Sequence, residues 1–280
     1  VMPFGKHIAD AAMSPDGLRL YTTGWSESAI EVYSLSSMQK KMPIFLPGKV
    51  SILAMAPGGE RMAAAGDTKI VILNLYVDLA TQSFTTEESV MGLAMADKDR
   101  VYAAGTKLFM NIPISKMHND VAELPGPLEW ILSCPTRNVL YTRAGRIRLP
   151  SAEGARANWT PYPEGPLLPM RPTLRPDETA FLTASGDVYG LADTGERVLQ
   201  SLGKVEPHTC AVFLGPGRFL LFLENGRVLG YEWESFKRVS ERTIGHRIRW
   251  AAPDPELKTL YAIGSRLSAI PSGESGVELL

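Results

Sequence analysis

The sequence predicts an all-β fold, a seven-bladed β-propeller with four antiparallel strands per blade, on three observations. A unit of about 40 residues recurs seven times and accounts for the whole 280-residue chain. Each unit holds three short apolar runs and a wetter fourth, as a radial blade requires: inner strands are covered on both faces and the outermost meets water. Pro and Gly interrupt every long window, so helical spacing of apolar residues is never sustained.

The clearest unit begins Ala11-Ala12-Met13-Ser14-Pro15-Asp16-Gly17-Leu18-Arg19-Leu20-Tyr21-Thr22-Thr23-Gly24. Copies start at Leu53-Ala54-Met55-Ala56-Pro57 and Leu93-Ala94-Met95-Ala96-Asp97, and weaker ones centre on Pro135, Pro176, Pro216 and Pro253 or Pro255. An apolar run such as 50–55 leads into a Pro/Asp/Gly turn, where Pro presets φ and Gly permits positive φ. A second run follows, as at 18–22, 139–142, 219–223 and 259–263, and closes near Gly24, Gly66, Gly105, Gly145, Gly186, Gly226 or Gly264. Third runs lie at 70–75 and 228–233, and a polar fourth at 238–244. The expected blades are 8–47, 48–88, 89–126, 127–166, 167–205, 206–245 and 246–280, with 1–7 near the closure. Two strands compete to edge blade seven: residues 277–280, and Met2-Pro3-Phe4-Gly5-Lys6, which parallels Met42-Pro43-Ile44-Phe45. Met13, Met55 and Met95 are expected at equivalent buried positions. A pair of β-sandwiches is the other all-β arrangement, but the regular four-strand unit favours the propeller.

Apolar residues make up 45% and charged residues 21%, enough for a sizeable core. Lys plus Arg (29) nearly cancels Asp plus Glu (30), which argues against duplex nucleic acid as the main partner. Arginine is concentrated late: 4 through residue 140 and 14 after it. Cys134 and Cys210 are far apart and fit buried thiols of an intracellular protein better than a disulfide framework. No apolar run is long enough to span a bilayer, and no signal-peptide pattern opens the chain. The chain starts at Val1 rather than Met, so a longer parent chain is expected.

The Ser14-Pro15-Asp16-Gly17 turn followed by Leu20-Tyr21-Thr22 resembles the WD-repeat and YVTN-type propeller superfamily. Trp-Asp at the end of a third strand is missing, Glu232-Trp233-Glu234 being the nearest approach, and Gly-His appears once, at Gly245-His246. The resemblance implies a rigid, non-catalytic platform for a protein or peptide partner, a monomeric propeller acting in a larger complex. It also implies an alternative, since relatives include lactone hydrolases.

Chemistry is sparse. His7, His118, His208 and His246 have no second ligand at metal spacing, and Asp97-Lys98-Asp99 lacks the glycine and glutamate of a calcium loop. Phosphate-cradling and nucleophile-elbow patterns are absent, so no catalytic residue, metal or cofactor is assigned. Asn158-Trp159-Thr160 matches a glycosylation acceptor but is followed by Pro161. The inner strands offer Asp10, Glu129, Arg171, Arg247 and Arg249, a set open to two uses. They pair between blades, Glu129 with Arg171 and Asp10 with Arg247 or Arg249, or they line a channel mouth for an acidic or phosphorylated peptide. Trp159 and Tyr162, among prolines, are candidate partner anchors.

Overall fold

Consecutive strands here are joined by tight turns, so each pairs with the next and antiparallel sheets build up one unit at a time. The computed structural model describes residues 2–3, 8–25, 27–115, 120–123, 128–149, 158–162, 171–192, 198–264 and 266–271. Strand β1 is Met2–Pro3. Sheet one holds β2 (Ile8–Met13), β3 (Arg19–Gly24), β4 (Glu27–Ser34), β5 (Gln39–Lys40) and β6 (Ile44–Val50). Sheet two holds β7 (Ile52–Met55), β8 (Arg61–Gly66), β9 (Lys69–Asn74) and β10 (Leu79–Thr85). Sheet three holds β11 (Gly92–Met95), β12 (Arg100–Ala104), β13 (Leu108–Pro113) and β14 (Asp120–Glu123). Sheet four holds β15 (Ile131–Cys134), β16 (Val139–Thr142), β17 (Gly145–Arg148) and β18 (Asn158–Pro161).

Sheet five holds β19 (Thr173–Leu174), β20 (Ala180–Leu182), β21 (Asp187–Leu191) and β22 (Leu199–Lys204). Sheet six holds β23 (Cys210–Phe213), β24 (Arg218–Phe222), β25 (Arg227–Glu232) and β26 (Arg238–Thr243). Sheet seven holds β27 (Trp250–Pro253), β28 (Thr259–Ile263) and β29 (Arg266–Pro271), and β1 supplies its fourth strand. Every pairing is antiparallel, and the seven sheets are the blades of a seven-bladed β-propeller. The chain divides into two units, sheets one to four in Lys6–Arg171 and sheets five to seven in Pro172–Leu280 with Val1–Gly5.

The core explains the near-continuous apolar runs. In β8 and β9, Met62, Ala64, Val71 and Leu73 pack towards sheet one, against Tyr21, Ile30 and Val32. Their neighbours Ala63, Ala65, Ile70 and Ile72 pack towards sheet three, against Leu93, Val101 and Met110. Side chains alternate faces along a strand, so a strand covered on both sides needs apolar residues at every position. The second unit repeats this, Leu182 and Val188 of sheet five meeting Phe213, Phe219 and Trp233 of sheet six. The outer strands β10 and β26 are exposed along nearly their whole length, as the polar fourth run predicts.

The turns carry their own logic. Ser14 Oγ donates to Asp16 Oδ1 (2.5 Å) and accepts the Arg19 amide (2.9 Å), and Asp16 accepts the Leu18 amide (3.0 Å). Against a burial penalty, these hydrogen bonds and the Arg19 charge hold the Asp16 carboxyl below its ordinary value.

Three expectations change in detail. Met13, Met55 and Met95 each end an innermost strand, but only Met95 is fully buried; Met13 and Met55 are half-buried beside the exposed Pro15 and Pro57 turns. The expected boundary at 47/48 cuts β6. Pro47-Gly48 looks like a turn in sequence, yet it lies in a wide bulge, with Phe45 opposite Ala29 and Val50 opposite Glu27. The two-residue strand β1 edges sheet seven, pairing Met2 with Leu267 and Pro3 with Arg266, while residues 277–280 lie outside the described residues.

Candidate functional site

Of the charged residues singled out in sequence, Asp10 lies within a strand, whereas Glu129, Arg171, Arg247 and Arg249 each fall just before one. The innermost strands of the later sheets are only two to four residues long, so the charges sit outside them. Asp10 is a strut. Its Oδ1 accepts the Ala11 amide and its Oδ2 the Leu53 amide of sheet two, both at 2.8 Å. Burial raises its pKa; the Leu53 amide, the Arg171 charge and the Ala11 amide oppose that rise.

The pairings differ from those expected. Glu129 pairs with Arg143, fourteen residues on and within its own sheet, rather than with Arg171. Arg247 pairs with Glu224 at 2.6 Å, and the charged neighbour of Asp10 is Arg171. The β15–β16 hairpin brings Glu129 and Arg143 together, whereas Arg247, just before sheet seven, reaches the β24–β25 turn of sheet six. Arg171 and Arg249 are exposed.

Trp159 and Tyr162 point into sheet four. Tyr162 is buried, donates its hydroxyl to the Thr142 carbonyl (2.9 Å), and burial pushes its pKa up. Trp159 packs on the cluster of Phe109, Ile131 and Ile147, its ring over Gly145. These contacts tie both rings to sheet four, Tyr162 buried and Trp159 half-buried.

His208 and His246 occupy matching places before β23 and β27, Nδ1 facing the carbonyls of Glu206 (3.1 Å) and Ile244 (3.0 Å). His7 and His118 lie outside the described residues. Among the described residues no three His, Cys, Asp or Glu side chains gather as a metal site requires.

The feature that stands out is a groove between sheets one and two, of about 830 Å³. Its walls come from the turn after β2, from β4, from the segment joining β5 to β6, and from the turn into β10. Strand β6 alternates, with Ile44 and Leu46 turned inward and Phe45 outward, 71% exposed. The outer strand breaks between β5 and β6: Lys41 donates its amide to Val32, and Met42 stands out at 83% exposure. Opposite them, Val77 and Leu79 are exposed because the β9–β10 turn and β10 itself form the outer rim of sheet two. Leu18, exposed in the Ser14–Arg19 turn, completes the apolar lining.

Three ionisable groups line this groove, Arg19, Lys41 and Asp78. Asp78 takes a left-handed φ of 50°, which Asp tolerates, and its oxygens accept Arg19 Nη1 at 3.1 and 3.2 Å. Lys40 is held by Glu31 (2.6 Å), which also accepts the Tyr33 hydroxyl. Lys41 has no ion-pair partner among the described residues. The lining mixes these apolar side chains with Ser34, Ser36 and the Arg19–Asp78 pair, and Lys41 is its one charge without an ion-pair partner among the described residues.

Sequence reading passed over these residues. The available signal was the run of large apolar side chains where other repeats place polar ones: Tyr76-Val77 in a turn that reads Ser36-Ser37 in the first repeat, and Phe45 on the solvent side of an outer strand.

Among the described residues no helix is long and apolar enough to cross a membrane. No family model matches the chain, and no curated protein matches it. Solved structures do. The β-propeller domain of Myceliophteria thermophila Cps50 (Swd1) superposes with a TM-score of 0.76 at 12% identity, covering 96% of this chain and 97% of that one. The RRP9 WD40 repeats give 0.71 at 14% identity, covering 94% and 92%. Kuenenia stuttgartiensis hydrazine synthase gives 0.70 at 11% identity, covering 97% and 96%. At such identities the likeness concerns the fold, which one of these proteins uses in an enzyme and another presents as WD40 repeats. The fold of this chain is thus a seven-bladed β-propeller, with four strands in six blades and, in the first, an outer strand broken into β5 and β6.

Proposed function

We propose that the protein is a non-catalytic interaction module that docks a protein partner in the groove between sheets one and two. The observation that carries this reading is the gathering of Leu18, Met42, Phe45, Val77 and Leu79, all large, apolar and exposed, in one groove. Scattered apolar residues are normal on a surface, but a contiguous set rimmed by polar groups marks an interaction site. The groups a hydrolase would need are committed elsewhere: Asp10 to backbone amides, Glu129 to Arg143, His208 and His246 to backbone carbonyls. The channel-mouth arginines carry less of the case, because Arg247 is already paired with Glu224. Cys134 and Cys210 are not joined in a disulfide, and burial pushes the Cys210 pKa up to about 12, which accords with an intracellular setting.

The test is recovery of native complexes on the tagged chain, followed by mass spectrometry. A Phe45→Glu/Leu79→Glu double variant is expected to lose a partner that wild type holds at fixed stoichiometry. Arg171→Ala and Arg247→Ala are expected to keep it. An unchanged partner set in the double variant sinks the assignment.

A further inference from the structure

We infer that the groove takes a short, extended segment of the partner that carries at least two large apolar side chains and an adjacent carboxylate. This rests on the proposed docking role of the groove. Its volume, about 830 Å³, falls within the ~300–1,000 Å³ of sites that engulf a small ligand or a few residues. A folded face needs roughly 800 Å² of matching surface per partner, which a groove of this size does not offer. Its walls favour an extended chain. Strands β6 and β10 are outermost in their sheets, and among the described residues each is paired along one side only, β6 with β4 and β10 with β9. Main-chain groups on an open edge hydrogen-bond an added strand, and alternate side chains of that strand enter apolar pockets.

Charge selects the rest. Arg19 and Asp78 neutralise each other, and Lys41 is left over beside the exposed Met42 and Phe45. A carboxylate gains an ion pair there, whereas a lysine or arginine in the segment meets a like charge. The only guanidinium in the groove is engaged by Asp78, so no free arginine fork is offered to a phosphate.

The experiment is selection of random 12-residue peptides displayed on phage against the intact 280-residue chain. Fluorescein-labelled copies of the winners are then titrated by anisotropy. The winners are expected to combine two or more of Leu, Ile, Phe and Met with Asp or Glu in one stretch. Phe45→Ala should weaken their binding about thirtyfold, as loss of a buried aromatic anchor does. Lys41→Ala should weaken it about threefold and Lys41→Glu about tenfold, the range for a rim ion pair and its reversal. Thermal melts should stay unchanged in all three variants, because both side chains are exposed. Winners without carboxylates, or indifferent to Lys41→Glu, overturn the acidic segment but leave the docking role standing if Phe45→Ala still weakens them. Winners indifferent to Phe45→Ala and Leu79→Ala overturn both, and a selection that enriches no peptide overturns the segment inference.

Discussion

Asp10 shows how one side chain ties two blades together, and what that costs. Each carboxylate oxygen accepts a different amide, Ala11 on its own strand and Leu53 on the next sheet. An asparagine has one acceptor oxygen, so its NH₂ would face an amide donor. A protonated carboxyl does not have this defect, since its hydroxyl oxygen still accepts. Asp10→Asn is therefore expected to cost about 1–3 kcal/mol of stability, the penalty for a stranded buried donor. The cost should depend on pH. Burial raises the folded pKa above the ordinary 3.8, so the folded state binds this proton more tightly than the unfolded chain. The stability that follows is complete below about 3.8 and is lost as pH rises through the raised folded value. Asparagine does not titrate, so the lead of wild type over the variant should narrow as pH rises above about 3.8. Arg171→Ala removes a charge that lowers this pKa, and should move the narrowing to higher pH. Urea unfolding of the three proteins across that range measures it; a lead that widens with pH contradicts the account.

At the scale of elements, turns and strands differ in how openly they announce themselves. The Pro/Gly turns and the apolar runs of β8 and β9 were legible because local chemistry favours them: positive φ is easiest for Gly, and a strand covered on both faces needs apolar residues throughout. Strand β6 was legible only at its start, Ile44-Phe45, because its passage through Pro47-Gly48 as a bulge depends on pairing with β4. The groove was hidden for a related reason. Leu18, Met42, Phe45, Val77 and Leu79 belong to different turns and strands, and the packing of sheet one on sheet two alone brings them together. The same packing constrains the Ala56-Pro57-Gly58-Gly59 turn. Gly59 has φ of +76°, and a Cβ there would lie 2.7 Å from Pro15 Cδ in the preceding blade's turn. Gly59→Ala should thus cost about 1–3 kcal/mol, combining left-handed strain with a ring that gives little. Gly217 occupies a related turn without positive φ and with open space where a Cβ would go, so Gly217→Ala should be neutral or slightly stabilising. Equal losses at the two sites, measured by denaturant midpoints, would refute the seam between these turns.

For the molecule as a whole, the repeat made the number of sheets readable, yet it left open which strand finishes the last one. Sequence offered two candidates because the outermost strand of a blade is half-exposed and tolerates almost any short segment. The structure gives that edge to Met2–Pro3, the first strand of the chain, paired with the last described strand, Arg266–Pro271. The contact is small, two residues long, but among the described residues it is the pairing most distant in sequence, and it covers one edge of β29. Deleting residues 1–5 should leave that edge unpaired. Two ladder pairs contribute on the order of 1–2 kcal/mol. In a protein of this size each kcal/mol shifts the melting temperature by roughly 2–4 °C, so a fall of about 2–8 °C is expected. A second signature separates loss of this edge from general weakening. An exposed strand edge templates pairing with another copy, so the truncated chain should also scatter light at lower temperature and at lower concentration than wild type. A Gly59→Ala variant of similar melting temperature is the control, since its β29 edge stays covered. If truncation lowers the melting temperature without more aggregation than that control, the first strand adds stability but does not guard the edge.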